Sequence, residues 1–331
     1  MYEYDKRVVL TLDAGGTNFV FSAIQGNNEM ISPIGLPAVS DNLDECLEVL
    51  VKGFDRVIAA IPVPPVAISF AFPGPADYEN GIIGDLPNFP SFRGGVALGP
   101  FLKHKYGIPV FIENDGNLFA YGEALSGALP MINRELSLAG CSREYKNLIG
   151  ITLGTGFGAG VVINKVLLTG DNGCGGDIWL MRNKKYPDML AEESVSIRAV
   201  RRVYSDLSGQ SSASLSPKDI YDIAEGIKEG DSHAAIASFN ELGIMAGAAI
   251  ASVLNVVDGL VVIGGGVAGA SKYILPALIT ELRAQLTTFS GNKFPCVSMQ
   301  VYNGEDESER ARFLSLSDSQ VVIPEIGRAH V

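Results

Sequence analysis

Residues 8–18 read VVLTLDAGGTN, a buried-strand pattern that runs straight into a glycine turn. The pattern returns at residues 148–158, LIGITLGTGFG, where Thr152-Leu153-Gly154 echoes Thr11-Leu12-Asp13. After each copy a second apolar strand is expected, over 19–24 and 160–163, followed by a third short one. Such self-similarity reads as an internal duplication. Glycines directly after a strand let backbone N–H groups approach an anion with no Cβ in the way, and two such loops suit one polyphosphate. A pair of tight hairpin turns without a ligand would leave a similar trace. Asp13 inside the first loop, together with the repetition, favours the anion reading.

A chain of 331 residues predicts two domains, and 47% hydrophobic content is ample for two cores. The net charge is −12 and no Lys/Arg block exceeds two residues, which argues against nucleic acid or an anionic membrane surface as partner. Cys46, Cys141, Cys174 and Cys296 have no metal-ligand spacing, and the amino terminus MYEYDKRVV lacks a signal-peptide pattern. A cytoplasmic location is expected. The apolar tract 244–263 is broken by Asn255 and Asp258, so it reads as a buried helix feeding a strand and not as a membrane span.

In chain order, apolar spacing predicts a helix over 42–61, then a proline-rich break and a strand over 66–72 that ends in Pro73-Gly74-Pro75. A loop at 84–93 and a helix over 96–106 lead to a strand at 109–113, which delivers Asn114-Asp115-Gly116-Asn117. Ligands gather at the carboxyl ends of strands in doubly wound sheets, so Asp115 stands where a reacting group is wanted, although the same residues are ordinary turn material. A helix is expected to start at 119–127, with a polar, irregular connection over 128–146. The glycine-dense run NGCGGDIW at 172–179 contains Asp177, and helices follow at 192–206, 217–229 and 233–254, with Ser216 and Asp231 as caps.

The strand at 259–263 meets Gly264-Gly265-Gly266-Val267-Ala268-Gly269 before a helix at 272–286, a formal G-x-G-x-x-G match. A dinucleotide site would also need an acid at the end of the next strand, about 20 residues on. The next candidate strand, 295–301, holds none, which makes an NAD-type oxidoreductase the weaker reading. The pattern of 303–331 predicts no particular fold.

Six ordered segments resemble the ROK family of sugar kinases and sugar-responsive repressors. They are Asp13-Ala14-Gly15-Gly16-Thr17, Phe72-Pro73-Gly74-Pro75, Pro87-Asn88-Phe89-Pro90, Glu113-Asn114-Asp115-Gly116-Asn117, Thr152-Leu153-Gly154-Thr155-Gly156 and Ile263-Gly264-Gly265-Gly266-Val267. The resemblance implies an α/β, actin-like ATPase (ribonuclease H-like) fold of hexokinase type. Two domains built on duplicated βββαβα units would flank an interdomain cleft. Residues 1–118 are expected to form the smaller, sugar and phosphate side. Residues 119–304 would form the ATP side, with a helical insertion at 192–254, and the tail 305–331 is left unplaced. The resemblance further implies that Gly15, Gly16, Thr17 and Asn18, with Gly154, Thr155 and Gly156, hold the ATP phosphates. Asp13 would orient Mg²⁺ through water, and Gly264, Gly265, Gly266 and Val267 would border the adenosine. Asp115 matches the family's catalytic base. Asn114 and Asp115 would bind sugar hydroxyls, joined by Gly74 and Asn88.

The chain departs from the family in a longer connection before the second glycine loop and, more tellingly, at the family's Glu-x-Gly-His motif. Where relatives carry Glu-x-Gly-His, it reads Asp177-Ile178-Trp179-Leu180, and residues 181–190 contain no cysteine. None of His104, His233 and His330 is near, so a zinc site is not expected. Asp177 keeps the carboxylate as a sugar ligand, and Glu192 lies at the spacing of a second one, with Glu193 beside it. An acid-rich helix start explains that pair equally well. Trp179 reads as a core residue in preference to a sugar-stacking one.

Together these features predict an ATP- and Mg²⁺-dependent kinase that phosphorylates the primary hydroxyl, at C6, of a hexose or N-acetylhexosamine, with Asp115 as general base. By resemblance it is a homo-oligomer, a dimer, with a small-molecule sugar as substrate and neither nucleic acid nor membrane as partner. The rival is a sugar-binding or regulatory member that has lost catalysis. Family repressors carry an added amino-terminal helix-turn-helix, whereas the first strand here begins by Arg7 and the charge is −12.

Overall fold

The computed structural model describes residues 2–15, 18–72, 74, 76–84 and 90–315. The chain divides into two units, Met1–Ser126 with Thr169–Gly175, and Gly127–Leu168 with Gly176–Val331. Residues 119–126 and 169–175 therefore group with the amino-terminal part.

The first unit is a six-stranded sheet with helices. Its elements are β1 (Val9–Ala14), β2 (Asn18–Gln25), β3 (Asn28–Glu29), β4 (Ile34–Pro37), α1 (Leu43–Ala60), β5 (Ala67–Ala71), the small hairpin β6 (Ala76–Asp77) and β7 (Ile82–Ile83), α2 (Leu98–Tyr106), β8 (Val110–Glu113) and α3 (Asp115–Leu125). The sheet order is β3-β2-β1-β5-β8, with β4 also on β2. Strand β1 alternates, burying Leu10 and Leu12, while Phe19 and Phe21 of β2 and Phe70 of β5 fill the same core. Asn42 caps α1 by accepting the Glu45 amide, and the helix buries Cys46, Leu50, Phe54 and Val57. Its approach to the sheet is close enough that a Cβ on Gly53 would stand 2.3 Å from the Phe21 ring. Helix α2 stops at Gly107, whose φ of 68° is the left-handed conformation that ends many helices.

The second unit contains α4 (Ala128–Leu138), β9 (Leu148–Leu153), β10 (Phe157–Ile163), β11 (Val166–Leu167), α5 (Ile197–Ser208), α6 (Pro217–Ala224), α7 (Ser232–Val257), β12 (Leu260–Gly264), α8 (Ser271–Leu282), β13 (Gln285–Thr287), β14 (Lys293–Pro295) and α9 (Glu307–Ser315). Its sheet order is β11-β10-β9-β12. Both sheets thus start from a hairpin, β1–β2 or β9–β10, and place a later parallel strand, β5 or β12, on the far side of the first. That shared order is the duplication seen in residues 8–18 and 148–158.

Helix α7 is long and apolar enough to cross a membrane by length and composition. It lies instead against the core, burying Phe239, Leu242, Met245 and Ile250 among others, and it packs on α8 through glycines. A Cβ on Gly243 would meet the Ile274 carbonyl oxygen at 2.4 Å, and one on Gly247 the Leu278 oxygen at 2.9 Å. Ser216 and Asp231 cap α6 and α7 as their sequence context predicts.

Several elements differ from the sequence pattern. Helix α3 begins at Asp115 and not near 119, because the Asn114 side chain caps it. The 128–146 connection contains α4, whose Leu129 and Leu136 are buried in an otherwise polar stretch. The helix expected from 192 starts at Ile197; a separate 3-10 turn, Ala191–Glu193, precedes it, and buried Ser196 caps α5 at the Ala199 amide. The expected strand over 295–301 is not formed: β14 ends at Pro295, residues 296–301 are not strand, and among the described residues β14 pairs only with β13. Among the described residues the second sheet therefore stops at β12, where the first continues from β5 to β8. Helix α9 is held by ion pairs of Arg310 with Glu135 and of Arg283 with Glu309.

Candidate active site

In the first unit, register brings the motif residues to one end of the sheet. Strands β1, β5 and β8 run parallel, and Asp13, Ala71 and Glu113 form one row across them. Adjacent strands lie about 4.8 Å apart, so β1 and β8 are about 10 Å apart along that row. Asp13 therefore stands at the carboxyl end of β1, exposed and with no hydrogen-bond or ion-pair partner among the described residues. Asp115 lies two residues beyond Glu113, the carboxyl end of β8.

A local network fixes the Asp115 backbone. Asn114 Oδ1 accepts the Gly116 amide at 2.9 Å and the Asn117 amide at 3.3 Å. Glu113 Oε1 accepts the Asn114 amide at 2.9 Å and the Asn117 side-chain amide at 3.1 Å. The Asn117 side-chain oxygen is buried and has no hydrogen-bond partner among the described residues. Asp115 itself is exposed, and among the described residues its carboxylate accepts only the Gly116 amide, at 2.9 Å. Acids are favoured in a first helical turn, where unpaired amides carry partial positive charge.

Gly74 follows the neighbouring strand end. A Cβ there would stand 2.7 Å from the Tyr78 hydroxyl, which donates to the Phe72 carbonyl at 3.0 Å. Glycine at 74 thus has a packing reason of its own. Gly16, Thr17 and Asn88 lie outside the described residues, as do Pro73, Pro75, Pro87 and Phe89. Gly15 donates to the Asn18 carbonyl at 3.0 Å, which closes the turn between β1 and β2.

In the second unit the corresponding turn joins β9 to β10. Gly154 donates to the Gly156 carbonyl at 3.1 Å, leaving Thr155 exposed at the tip. The loop after β12 is tied onto the same strand end: Val267 donates to the Leu153 carbonyl at 3.0 Å, and Gly265, at a φ of 91°, leaves a Cβ only 2.5 Å from that oxygen. Val267 is itself 2% exposed, so its contribution at the surface is main chain. By contrast, a Cβ on Gly154 or on Gly266 would meet nothing within 4 Å. Neither has the positive φ that demands glycine, so at both an open face lies at the carboxyl ends of the parallel strands β9 and β12. Such a bare-backbone ledge fits a phosphate chain.

Asp177 and Glu192 also belong to this unit but sit differently. Asp177 is exposed and precedes the 3-10 turn Ile178–Leu180, which buries Ile178 and leaves Trp179 36% and Leu180 54% exposed. Trp179 is therefore a surface residue and not the core tryptophan expected, because Ile178 takes the inward position. Glu192 presses on the glycine turn: Oε2 accepts the Phe157 amide at 3.0 Å and would lie 2.5 Å from a Cβ on Gly156. Its other oxygen accepts from Arg198 at 3.1 Å, and the same guanidinium nitrogen donates to Glu193 at 3.1 Å. The hydrogen bond to Glu192 is the main cause that raises the Arg198 pKa.

Asn183 closes the loop from 183 to 194. Its side-chain nitrogen donates to Ser194 Oγ at 2.8 Å and to the Leu190 carbonyl at 3.3 Å, and its oxygen accepts the Lys185 and Tyr186 amides at 3.0 Å each. With 2% exposure, this asparagine joins both ends of 183–194 from the inside. Among the described residues no group of three or more His, Cys, Asp or Glu side chains is arranged to hold a metal.

Sequence reasoning missed Glu113, Asn183 and Arg198. Glu113 lies inside a recognised segment without a role of its own being assigned to it, whereas the other two act through residues far from any pattern.

Two parallel-strand cores of the same order, each opening on a glycine turn, define an actin-like ATPase-fold α/β protein. The ROK family profile matches residues 9–308, and the chain belongs to the ROK family. A crystal structure described as a glucokinase from Parabacteroides distasonis is 58% identical, covers all of this chain and 90% of its own, and superposes with a TM-score of 0.86. The glucokinase of Thermotoga maritima is 26% identical over 290 residues, 82% of this chain and 86% of that protein. The xylose repressor of Bacillus subtilis is 24% identical over 262 residues, 75% of this chain and 61% of the repressor.

Proposed function

We propose that this ROK-family chain is an ATP- and Mg²⁺-dependent sugar kinase acting on the C6 hydroxyl of a hexose or N-acetylhexosamine. The observation that carries the reading is the exposed Asp115 carboxylate, fixed at the carboxyl end of β8 by the Asn114 cap, in a sheet whose same end carries Asp13. Similarity to two proteins named glucokinase supports it.

Asp115 accepts the proton of the attacking hydroxyl, a contribution of typically about 10²- to 10⁴-fold. Asn114, Asp115, Gly74 and Asn88 orient the sugar, with Asp177 and Glu192 adding carboxylate contacts. The open backbone at Gly154 and Gly266 fits a nucleotide phosphate chain, with Gly15, Gly16, Thr17, Asn18, Thr155 and Gly156 as further phosphate contacts and Gly264, Gly265 and Val267 beside the base and ribose. Asp13, exposed and unpaired among the described residues, suits a hydrated cation better than a proton-transfer role beside phosphate oxygens. When bound, ATP supplies the transferred phosphoryl group and Mg²⁺ neutralises its charge. A coupled ADP-release assay against hexoses, hexosamines and N-acetylhexosamines tests this reading; sugar-stimulated release is expected.

The second reading is a sugar-binding protein without turnover. Leu180 at the position of the family's histidine and the similarity to a xylose repressor favour it. Clear sugar binding with no sugar-stimulated ADP across the panel would select it over the kinase.

A further inference from the structure

The β9–β10 turn presents a problem of charge. Glu192 holds the Phe157 amide at 3.0 Å, so one of the turn's own donors is already taken by a carboxylate, and Glu193 stands beside it. Two negative groups next to a phosphate-binding turn repel a polyphosphate, and at close range that repulsion is only partly screened. Arg198 pairs with both and offsets one of the two charges: its Nη2 lies 3.1 Å from each glutamate, and its Nη1 lies 3.5 Å from the Thr155 carbonyl at the tip of the turn. The arginine rides on the first turn of α5, which is tied to the same loop by the Ile197 amide donating to the Gly154 carbonyl at 2.9 Å. Its side chain is 53% exposed, whereas Glu192 is 22% exposed. Glu193 is 48% exposed, so the cation and Glu193 face solvent while Glu192 lies behind them.

We propose that Arg198 is a charge-compensating positioning residue for the nucleotide phosphates. It acts through Glu192, which sets the backbone of the turn from behind, and it cancels the carboxylate charge that this clamp brings to the site. The proposal rests on the nucleotide reading of the glycine turn given above. A guanidinium suits the task because its planar donors serve two carboxylates and a carbonyl at once, and it never loses its charge. Gly156 has its own reason in the same cluster, since any Cβ there would collide with the Glu192 carboxylate.

The test is direct binding of adenosine, AMP, ADP and ATP to the full-length wild type and to Arg198→Ala, Arg198→Lys and Arg198→Ala/Glu193→Gln. For Arg198→Ala, ATP affinity is expected to fall about ten- to a hundredfold, with a graded loss for ADP and AMP and almost none for adenosine. Arg198→Lys should retain most of the ATP affinity, and the double variant should recover part of the loss. The ATP penalty should shrink as salt is raised. A purely structural role would weaken all four ligands alike, and that result, or unchanged ATP affinity in Arg198→Ala, overturns the assignment of Arg198 alone. A wild-type protein that binds neither ADP nor ATP overturns the nucleotide reading, and the role of Arg198 falls with it.

Discussion

Asn114 Oδ1 accepts the Gly116 amide at 2.9 Å, and this bond makes Asp115 the first residue of α3. One side chain therefore both caps a helix and holds the backbone that carries the proposed base. Asn114→Ala is expected to lower stability by about 1 kcal/mol through loss of the cap, and also to weaken sugar binding. Asn114→Ser restores a cap without the amide. It should regain most of the thermal stability yet keep the weakened sugar affinity, as read by thermal unfolding beside sugar titration. Full sugar affinity in Asn114→Ser would reduce Asn114 to a cap.

The glycines of the second unit separate ligand contact from packing. Gly154→Ala adds a methyl that meets nothing within 4 Å, so the fold should tolerate it while ATP affinity drops. Gly265→Ala puts a methyl 2.5 Å from the Leu153 carbonyl oxygen at a φ of 91°. Strain of about 1–3 kcal/mol is expected there. Chemical denaturation and nucleotide titration of the two variants should therefore move in opposite order. Equal stability losses would mean that Gly154 is a packing glycine too.

What the sequence made legible follows from where the information is local. The glycine turns, the strands that follow each copy of the repeat, and the helices around Leu50 and Phe239 all rest on period and punctuation within a few residues. Helix α3 starts about four residues earlier than the pattern predicts, because Asn114-Asp115 is as much a capped first turn as it is turn material. Glu192 shows the opposite case. Its spacing fits a sugar ligand, and its additional hydrogen bond to Phe157, 35 residues away in sequence, depends on β10 folding back beside the 3-10 turn. No local pattern encodes that contact. Trp179 was misjudged for a related reason, since which of Ile178 and Trp179 faces inward is decided by the turn geometry around Asp177.

The loop at 183–194 is closed by Asn183, and among the described residues no group of three or more His, Cys, Asp or Glu side chains is arranged to hold a metal, so chelators are expected to leave its stability unchanged. Thermal unfolding with and without a strong zinc chelator should give the same midpoint. Asn183→Ala removes donors and acceptors that are buried, and leaving such partners unpaired costs about 1–3 kcal/mol. A chelator-induced drop in the midpoint would contradict this reading.

Burial pushes the Cys46 thiol up to about 11, from an ordinary value of 9.0. The folded state keeps its proton where the unfolded chain has lost it. The associated stabilisation is fully present below about pH 9 and is lost as pH rises towards 11. It amounts to about 2–3 kcal/mol at most. Denaturation midpoints between pH 8 and 11 should fall more steeply for wild type than for Cys46→Ala, although the variant starts lower for want of the buried sulfur. Parallel slopes would mean that Cys46 does not couple to alkaline unfolding.

The most direct test of the proposed catalysis is sugar-dependent ADP release by wild type and Asp115→Asn at saturating ATP, Mg²⁺ and the best sugar of the panel. Sugar binding is measured on the same preparations. Asp115→Asn is expected to bind sugar and to fold as wild type does, while its turnover falls by about 10²-fold or more. Normal turnover in Asp115→Asn would remove Asp115 as the base and contradict the proposed mechanism.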